Sequence, residues 1–211
     1  MANNYYYIVG GFPDLLLDFE GKHFDSTQLR EEVKGGLSAS DQRLVEWLYW
    51  GTEAKKLSSH FYRAAFKVKN AFIRDYYQFD LQLRNVLSAL SARKAGRDPG
   101  TALIGNDPIN ETLSTSKAPD FGLREELPMG VRLFSILEGE NILEREMQLD
   151  RLRWEKADEI CDNHYFDLDV ILNFLLKVSI IERWMRLEKS KGEALFKTLV
   201  QEIQDSKTVR Q

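Results

Sequence analysis

Between Phe166 and Leu187 the chain carries more apolar residues than one helix face can hold. Ile171, Phe174, Leu175, Val178, Ile181 and Met185 repeat at the three-and-four spacing of one face. Leu168, Leu172, Leu176, Ile180, Trp184 and Leu187 occupy a neighbouring face. A surface helix normally has one apolar stripe and a polar back. A helix over 167–189 that is apolar around most of its girth as far as Glu182 must be covered on two or three sides. The rest of the chain therefore has to pack around it. Asp167 is the expected N-cap, because its carboxylate can accept from the free N–H groups of the first turn. Gly192, the next glycine, offers a stop. Asn173, Lys177 and Ser179 interrupt the run, which is too short to read as a membrane span.

Proline placement extends the helical reading to the whole chain. The five prolines stand at positions 13, 99, 108, 119 and 128, so four of them fall in one segment. Long stretches without helix breakers lie on either side, and the expected fold class is all-α. From Thr52 to Ala95 there is neither glycine nor proline. Leu57, Phe61, Ala65, Val68, Phe72, Tyr76, Phe79, Leu83, Val86 and Leu90 keep a helical period throughout. One helix over this stretch would be roughly 60 Å long at about 1.5 Å per residue. That exceeds the diameter of a compact domain of this mass, and predicts an elongated bundle of long antiparallel helices. A kink or break near Ser58–Ser59 or Asn70 is the alternative.

The Gly- and Pro-rich stretch 96–119 reads as a boundary or flexible connection. It divides an N-terminal helical unit, 1–95, from a C-terminal unit, 120–211, within one continuous domain. Asp107–Pro108 can start a short helix there. Tyr5 to Val9 is strand-like on propensity. With no second good strand to pair with, a short helix or an extended arm is the better reading. Asp25–Ser26 can cap a helix through Val33 that ends at Gly35–Gly36. Ser38 with Asp41 is a loose capping box for a helix through Trp50, stopping at Gly51. Leu123 to Leu137 is expected as a helix interrupted around Pro128, Glu140 to Asp162 as a densely charged helix, and Gly192 to Asp205 as the last one.

Charge and cysteine content narrow the function classes. A net charge of -4 and a pI near 5.5 argue against nucleic acid, which needs a concentrated basic face. Cys161 is the sole cysteine, so no intrachain disulfide or thiolate metal cage is available. A reducing, cytoplasmic setting follows. The first residues lack the basic start and apolar core of a signal peptide. Any membrane association would then be peripheral, through a partner, without direct insertion.

Recognisable chemistry is sparse. The loop from Cys161 to Asp169 holds a thiol, an imidazole and three carboxylates, and a metal-dependent hydrolase could use His164 with Asp162, Asp167 or Glu159. The loop lacks the glycine and bidentate Glu of a calcium loop and any paired-His motif. The simpler reading is a helix–helix turn capped by Asp167. His23 and His60 have no identifiable partner, and no nucleophile elbow suggests a triad. Glu140, Glu144 and Glu146 fit a solvated helix face. Gly96 to Gly100 lacks the Lys-Ser/Thr pair of a phosphate loop. Arg93, Lys94 and Arg97 could meet an anion or an acidic partner, but cations near a helix C-terminus also complement its dipole. No catalytic, cofactor-binding or metal-binding residue is assigned, and no cofactor is implied. Tyr5, Tyr6, Tyr7, Tyr76, Tyr77, Trp47, Tyr49 and Trp50 gather near the ends of the first long helices. They can serve as core packing or as anchors in a protein–protein contact.

Several strings carry a resemblance. Tyr5-Tyr6-Tyr7-Ile8-Val9 with Pro13-Asp14-Leu15, Asp120 through Pro128, and Arg153-Trp154-Glu155 resemble an uncharacterised family encoded beside V-type ATPase subunits in bacterial operons. So do His164-Tyr165-Phe166, Phe174 to Lys177 and Ile181 to Trp184. The likeness covers most of the chain, and none of the strings is a catalytic signature. A more remote likeness is to the C (or d) subunit of V- and A-type rotary ATPases. In its motifs a helix carries an acid, then an Asn or Arg, then a Gly. Asp80-Leu81-Gln82-Leu83-Arg84-Asn85 before Gly96 is similar to one copy. Lys177 to Arg183 before Gly192 is similar to a degenerate second, with Trp184 near the usual Asn.

This resemblance implies a non-enzymatic structural subunit or assembly factor of a V-type ATPase. Its partners would be the central stalk and the membrane rotor ring, and its place the inner face of the membrane. The alternatives are a stand-alone helical adaptor and the metal-dependent hydrolase.

Overall fold

A computed structural model describes residues 4–17, 26–53 and 55–187. Every regular element among them is helical. The expected helix from Gly192 to Asp205, the Gly192 stop, His23, and Asp25 of the expected Asp25–Ser26 cap lie outside the described residues.

The chain opens with a short helix, α1 (Tyr6–Gly10), which settles the strand-or-helix alternative for the tyrosine run. The backbone N–H of Tyr5 donates to the Phe166 carbonyl at 2.6 Å, so the run is pinned to the far end of the sequence instead of to a strand. α2 (Ser26–Gly35) and α3 (Ala39–Thr52) follow. The Ser38 hydroxyl accepts from the Asp41 N–H at 3.3 Å, making the expected cap.

The glycine-free stretch after Thr52 is not one helix. It breaks twice, into α4 (Ser59–Ala65) and α5 (Ala71–Lys94). Both breaks fall on polar residues that turn their side chains onto the backbone. Ser58 accepts from the Phe61 N–H at 3.3 Å, and Asn70 accepts from the Ile73 N–H at 2.9 Å. A side chain that satisfies a free N–H starts a helix where it stands, and this local competition overrides a continuous apolar period. With α5 at 24 residues, the longest rod here is about 36 Å, and the length argument for an elongated body falls away.

The Gly- and Pro-rich stretch folds against α5. It forms a single 3-10 turn, Pro99–Ala102, and then α6 (Ile109–Thr115). Asp107 accepts from the Ile109 N–H at 3.0 Å, starting α6 beside Pro108 as expected. The Arg93 guanidinium donates to the carbonyls of Ala118 (2.5 Å) and Ser116 (2.7 Å) and lies 3.6 Å over the Phe121 ring. Arg93 is thus spent on structure, while Lys94 and Arg97 face solvent.

The helix expected from Leu123 to Leu137 begins only after Pro128, as α7 (Gly130–Glu138). Over 124–129 the chain makes turns instead, around Pro128, which has no N–H to give to a preceding helical turn. α8 (Ile142–Cys161) then runs back along α5, capped by Asn141.

The last described helix, α9, spans 168–187. Asp167 caps it, accepting from the N–H groups of Asp169 (3.1 Å) and Val170 (3.4 Å). Ile171, Leu172, Leu175 and Val178 have no exposed surface, and Phe174, Leu176, Ile180, Ile181 and Trp184 have almost none. The helix is covered on most sides, as its composition requires. One hydrophobic cluster joins its first half to α2, α3, α4, α5, α7 and α8. A second, smaller cluster joins Ile180, Ile181 and Trp184 to Trp154 of α8. Each fully buried Leu, Ile or Phe contributes about 1.5–3 kcal/mol relative to an exposed position, so α9, with α5, is a principal apolar anchor among the described residues. Among the described residues no helix is long and apolar enough to cross a membrane.

Candidate functional site

The imidazole and carboxylates of the 161–169 turn act on the backbone and on one another. His164 Nδ1 stands 2.5 Å from Asp167 Oδ2, and its Nε2 is 3.8 Å from Asp169. The hydrogen bond to Asp167 raises the His164 pKa above its ordinary value, against the opposing effect of burial. Asp169 accepts from Asn70 at 2.5 Å, which ties the start of α9 to the start of α5. Burial raises the Asp169 pKa as well. Cys161 is buried, donates to the Asp169 carbonyl at 3.3 Å, and has its thiol pushed up to about 12, first by burial and then by Asp169. A thiol held protonated is a poor nucleophile.

Asp162 is exposed at the end of α8, and Glu159 pairs with Lys156 at 2.7 Å. Among the described residues no group of three or more His, Cys, Asp and Glu is arranged to hold a metal ion. His60 is exposed on α4. Glu140 and Glu144 are exposed, and Glu144 accepts from Gln148 at 2.7 Å. Glu146 lies 3.6 Å from Arg183.

The concentrated chemistry lies instead between α4, α5, α8 and α9. Asp80 of α5 is 2% exposed. Its Oδ2 accepts from the Tyr62 hydroxyl and from Arg84 Nε, each at 2.7 Å. Arg153 of α8 brings Nε to 3.8 Å from Asp80 Oδ1, and donates through Nη1 to Asp150 at 2.8 Å. Asp150, also buried, accepts from Trp184 Nε1 at 2.7 Å and from Arg183, both on α9. The chain of contacts thus runs Tyr62, Asp80, Arg153, Asp150, Arg183 through the core and out to the surface. Next to Arg183 on α9, Glu182 accepts from Ser26 (2.5 Å) and pairs with Arg30 (2.7 Å), joining α2 to the same region.

Burial alone would lower the pKa of Arg84 and of Arg153, but the facing carboxylates override it and both are raised. Burial first, and the Asp80 charge second, raise the Tyr62 and Tyr76 hydroxyls above their ordinary value. At neutral pH the region therefore offers fixed positive charges and hydroxyl donors.

A cavity of about 250 Å³ opens beside this network, lined by Tyr76, Asp80, Arg84, Asp150 and Arg153, with Arg183 and Arg186 among its outer residues. A larger, shallower groove of about 740 Å³ lies between α5 and α8, with Pro128 and Met129 at its lip and His164 among its lining. Its floor is apolar (Phe79, Leu152 and Ile160), and its Arg132 and Glu155 pair with each other.

The residues of the network are partly visible in sequence. Asp80, Arg84 and Asn85 lie in one of the two strings that resemble the stalk subunit, Arg183 ends the other, and Asp150 and Arg153 share one side of α8. The structure connects the two strings through α8. Asn85 turns away to hold the 3-10 segment, donating to the Ile104 carbonyl at 3.0 Å and accepting its N–H at 2.8 Å. Tyr62 and Arg30 give no sequence signal beyond their types, and Tyr76 and Glu182 only their place in a helical period, because the partners that define them are far along the chain. Tyr62 and Asp80 are 18 residues apart, and Ser26 and Glu182 are 156 apart.

An uncharacterised protein of Chlamydia pneumoniae is 31% identical over 107 residues, covering 48% of this chain and 39% of that protein. The match thus spans about two fifths of the relative's own length. No solved structure matches the chain. A family model described as a protein of unknown function, DUF2764, matches residues 52–207, a stretch that holds α4 to α9 and the whole Asp80–Asp150 network. On that match the chain belongs to the DUF2764 family.

Proposed function

We propose that this protein is a non-enzymatic helical subunit or assembly factor of a V-type ATPase, similar in role to the central-stalk spacer that its sequence remotely resembles. The observation that carries the reading is the convergence of the two strings that bear this resemblance. Asp80 and Arg84 from the first and Arg183 from the second are linked through Arg153 and Asp150 of α8. A spacer between a rotor ring and a stalk must transmit force between helices without sliding. Buried ion pairs between helices resist such sliding, because breaking one leaves a charge uncompensated. In this role the partners are stalk and ring subunits, and the protein sits peripherally at the inner face of the membrane.

The test is a mild-detergent pull-down from native membranes with the tagged full-length chain. ATPase subunits are the expected prey, and ATPase assembly is expected to fall when the chain is deleted. Recovery of the chain as a free protein, with normal ATPase assembly in its absence, would end this reading. A stand-alone adaptor is the second reading. It is favoured by Tyr6, Tyr7, Tyr165 and Phe166, exposed aromatics of which Tyr6 and Phe166 lie 4.4 Å apart, ring centre to centre. The same pull-down then recovers other proteins, and loses them with Tyr7→Ala plus Tyr165→Ala.

A further inference from the structure

The cavity beside α5 holds more donors than its carboxylates use. Arg84 meets Asp80 through Nε alone, and no described residue takes its two terminal nitrogens. Arg153 gives Nη1 to Asp150 and turns Nε toward Asp80, which leaves Nη2. Tyr76 is 4% exposed and lines the cavity, yet its hydroxyl has no hydrogen-bond partner among the described residues. Asp80, Arg84, Asp150 and Arg153 line the same cavity as Tyr76.

Charge points the same way. The lining has four guanidiniums, Arg84, Arg153, Arg183 and Arg186, against two carboxylates, Asp80 and Asp150. Glu146 and Glu182 flank the mouth, 3.6 Å from Arg183 and 3.9 Å from Arg186. Arg30 already takes Glu182 at 2.7 Å, so positive charge remains in excess with these groups counted in.

We propose that this cavity is a binding site for a phosphate-class oxyanion, held by the terminal nitrogens of Arg84 and Arg153 and by the Tyr76 hydroxyl. Planar guanidinium forks match the oxygens of a phosphate, and charge-assisted bonds of this kind are the strong ones. At about 250 Å³ the space is several times the share of one water molecule, roughly 30 Å³. It has room for a phosphate group together with part of whatever carries it. Arg183 and Arg186, with side chains 42% and 73% exposed, stand where the anion would enter. The group could arrive as free phosphate or at the end of a lipid headgroup. The inference does not rest on the ATPase reading.

Calorimetric titration of inorganic phosphate into the full chain, in a low-salt buffer free of phosphate, tests the first source. Co-sedimentation with phosphatidic acid vesicles, against phosphatidylcholine vesicles, tests the second. Saturable binding to one of these probes is expected. Tyr76→Phe removes only the hydroxyl and should weaken binding about tenfold. Arg84→Lys keeps the charge opposite Asp80 but loses the fork, and should weaken it at least as much. Circular dichroism of both variants checks that they are folded. Binding of phosphatidic acid vesicles but not free phosphate assigns the headgroup as the source, provided Tyr76→Phe weakens it. No saturable binding of either probe below about 10 mM overturns the proposal. So does binding that is unchanged in both variants.

Discussion

Asp80 Oδ1 and Arg153 Nε stand 3.8 Å apart across the α5–α8 pair, too far for a hydrogen bond and close enough for a strong charge interaction. Asp80 Oδ1 accepts no hydrogen bond from any described residue, while Oδ2 takes two. The carboxylate is thus held on one side and balances two guanidiniums at once.

Asp80→Ala should therefore be costly. It leaves Arg84 and Arg153 short of a counter-charge and the Tyr62 hydroxyl without its acceptor. Breaking one partner out of a buried ion pair costs about 3–5 kcal/mol. Urea unfolding followed by circular dichroism should show a large fall in midpoint. A shift under about 1 kcal/mol would mean that the network contributes little.

Asn85 offers a neutral counterpart. It has no exposed surface and closes both the N–H and the carbonyl of Ile104, and it also donates to Asn110 at 2.9 Å. Asn85→Ala strands buried polar groups, each worth about 1–3 kcal/mol. Hydrogen exchange should accelerate first in the 96–115 segment, before α8 or α9. Uniform acceleration across the chain would count against a local role for Asn85.

How far the sequence reaches differs among four particular places. α9 is legible because its apolar girth has a single physical solution, burial. The capping residues are legible too, since Ser38, Asp107 and Asp167 act within three residues of themselves. The break between α4 and α5 is visible only as an alternative. A continuous apolar period and a pair of capping side chains compete there, and tertiary ties such as Asn70 to Asp169 help decide between them. The charge network is half visible for the same reason. Asp80 and Arg84 share a helix face at i,i+4, and Asp150 and Arg153 at i,i+3. That α8 brings these pairs together depends on packing, which no local pattern encodes.

Asn70 is the position where one side chain does two tasks. It caps α5 and donates to Asp169 at the start of α9. Asn70→Ala loses the cap, at about 0.5–2 kcal/mol, and the tie as well. Asn70→Asp keeps the capping oxygen but sets a second carboxylate against Asp169. Thermal melts should rank both variants below the native chain. Asn70→Asp equal to the native chain would show that the Asp169 contact is idle.

Gly130 opens α7 where backbone crowds in. A Cβ there would come 2.6 Å from the Leu123 carbonyl oxygen, and a backbone atom cannot swing aside as a side chain can. Gly130→Ala should cost about 1–3 kcal/mol through the forced shift. Gly10→Ala, with nothing within 4 Å of the added Cβ, serves as the control and should be close to neutral.

His164 should give the chain a small pH dependence of definite sign. Its hydrogen bond to Asp167 raises its pKa in the folded protein above the ordinary 6.5. The folded state therefore holds the proton more tightly than the unfolded state does. The stabilisation is fully present below the unfolded value and is lost as pH rises through the folded one. Asp169, raised by burial, has the same sign, so the assignment to His164 rests on the variant below. About a third of the His164 side chain is exposed, at 34%, and solvent screening keeps the effect below about 1 kcal/mol. The melting temperature should be slightly higher near pH 6 than near pH 8, and His164→Gln should flatten that slope. An unchanged slope in His164→Gln would place the titrating group elsewhere.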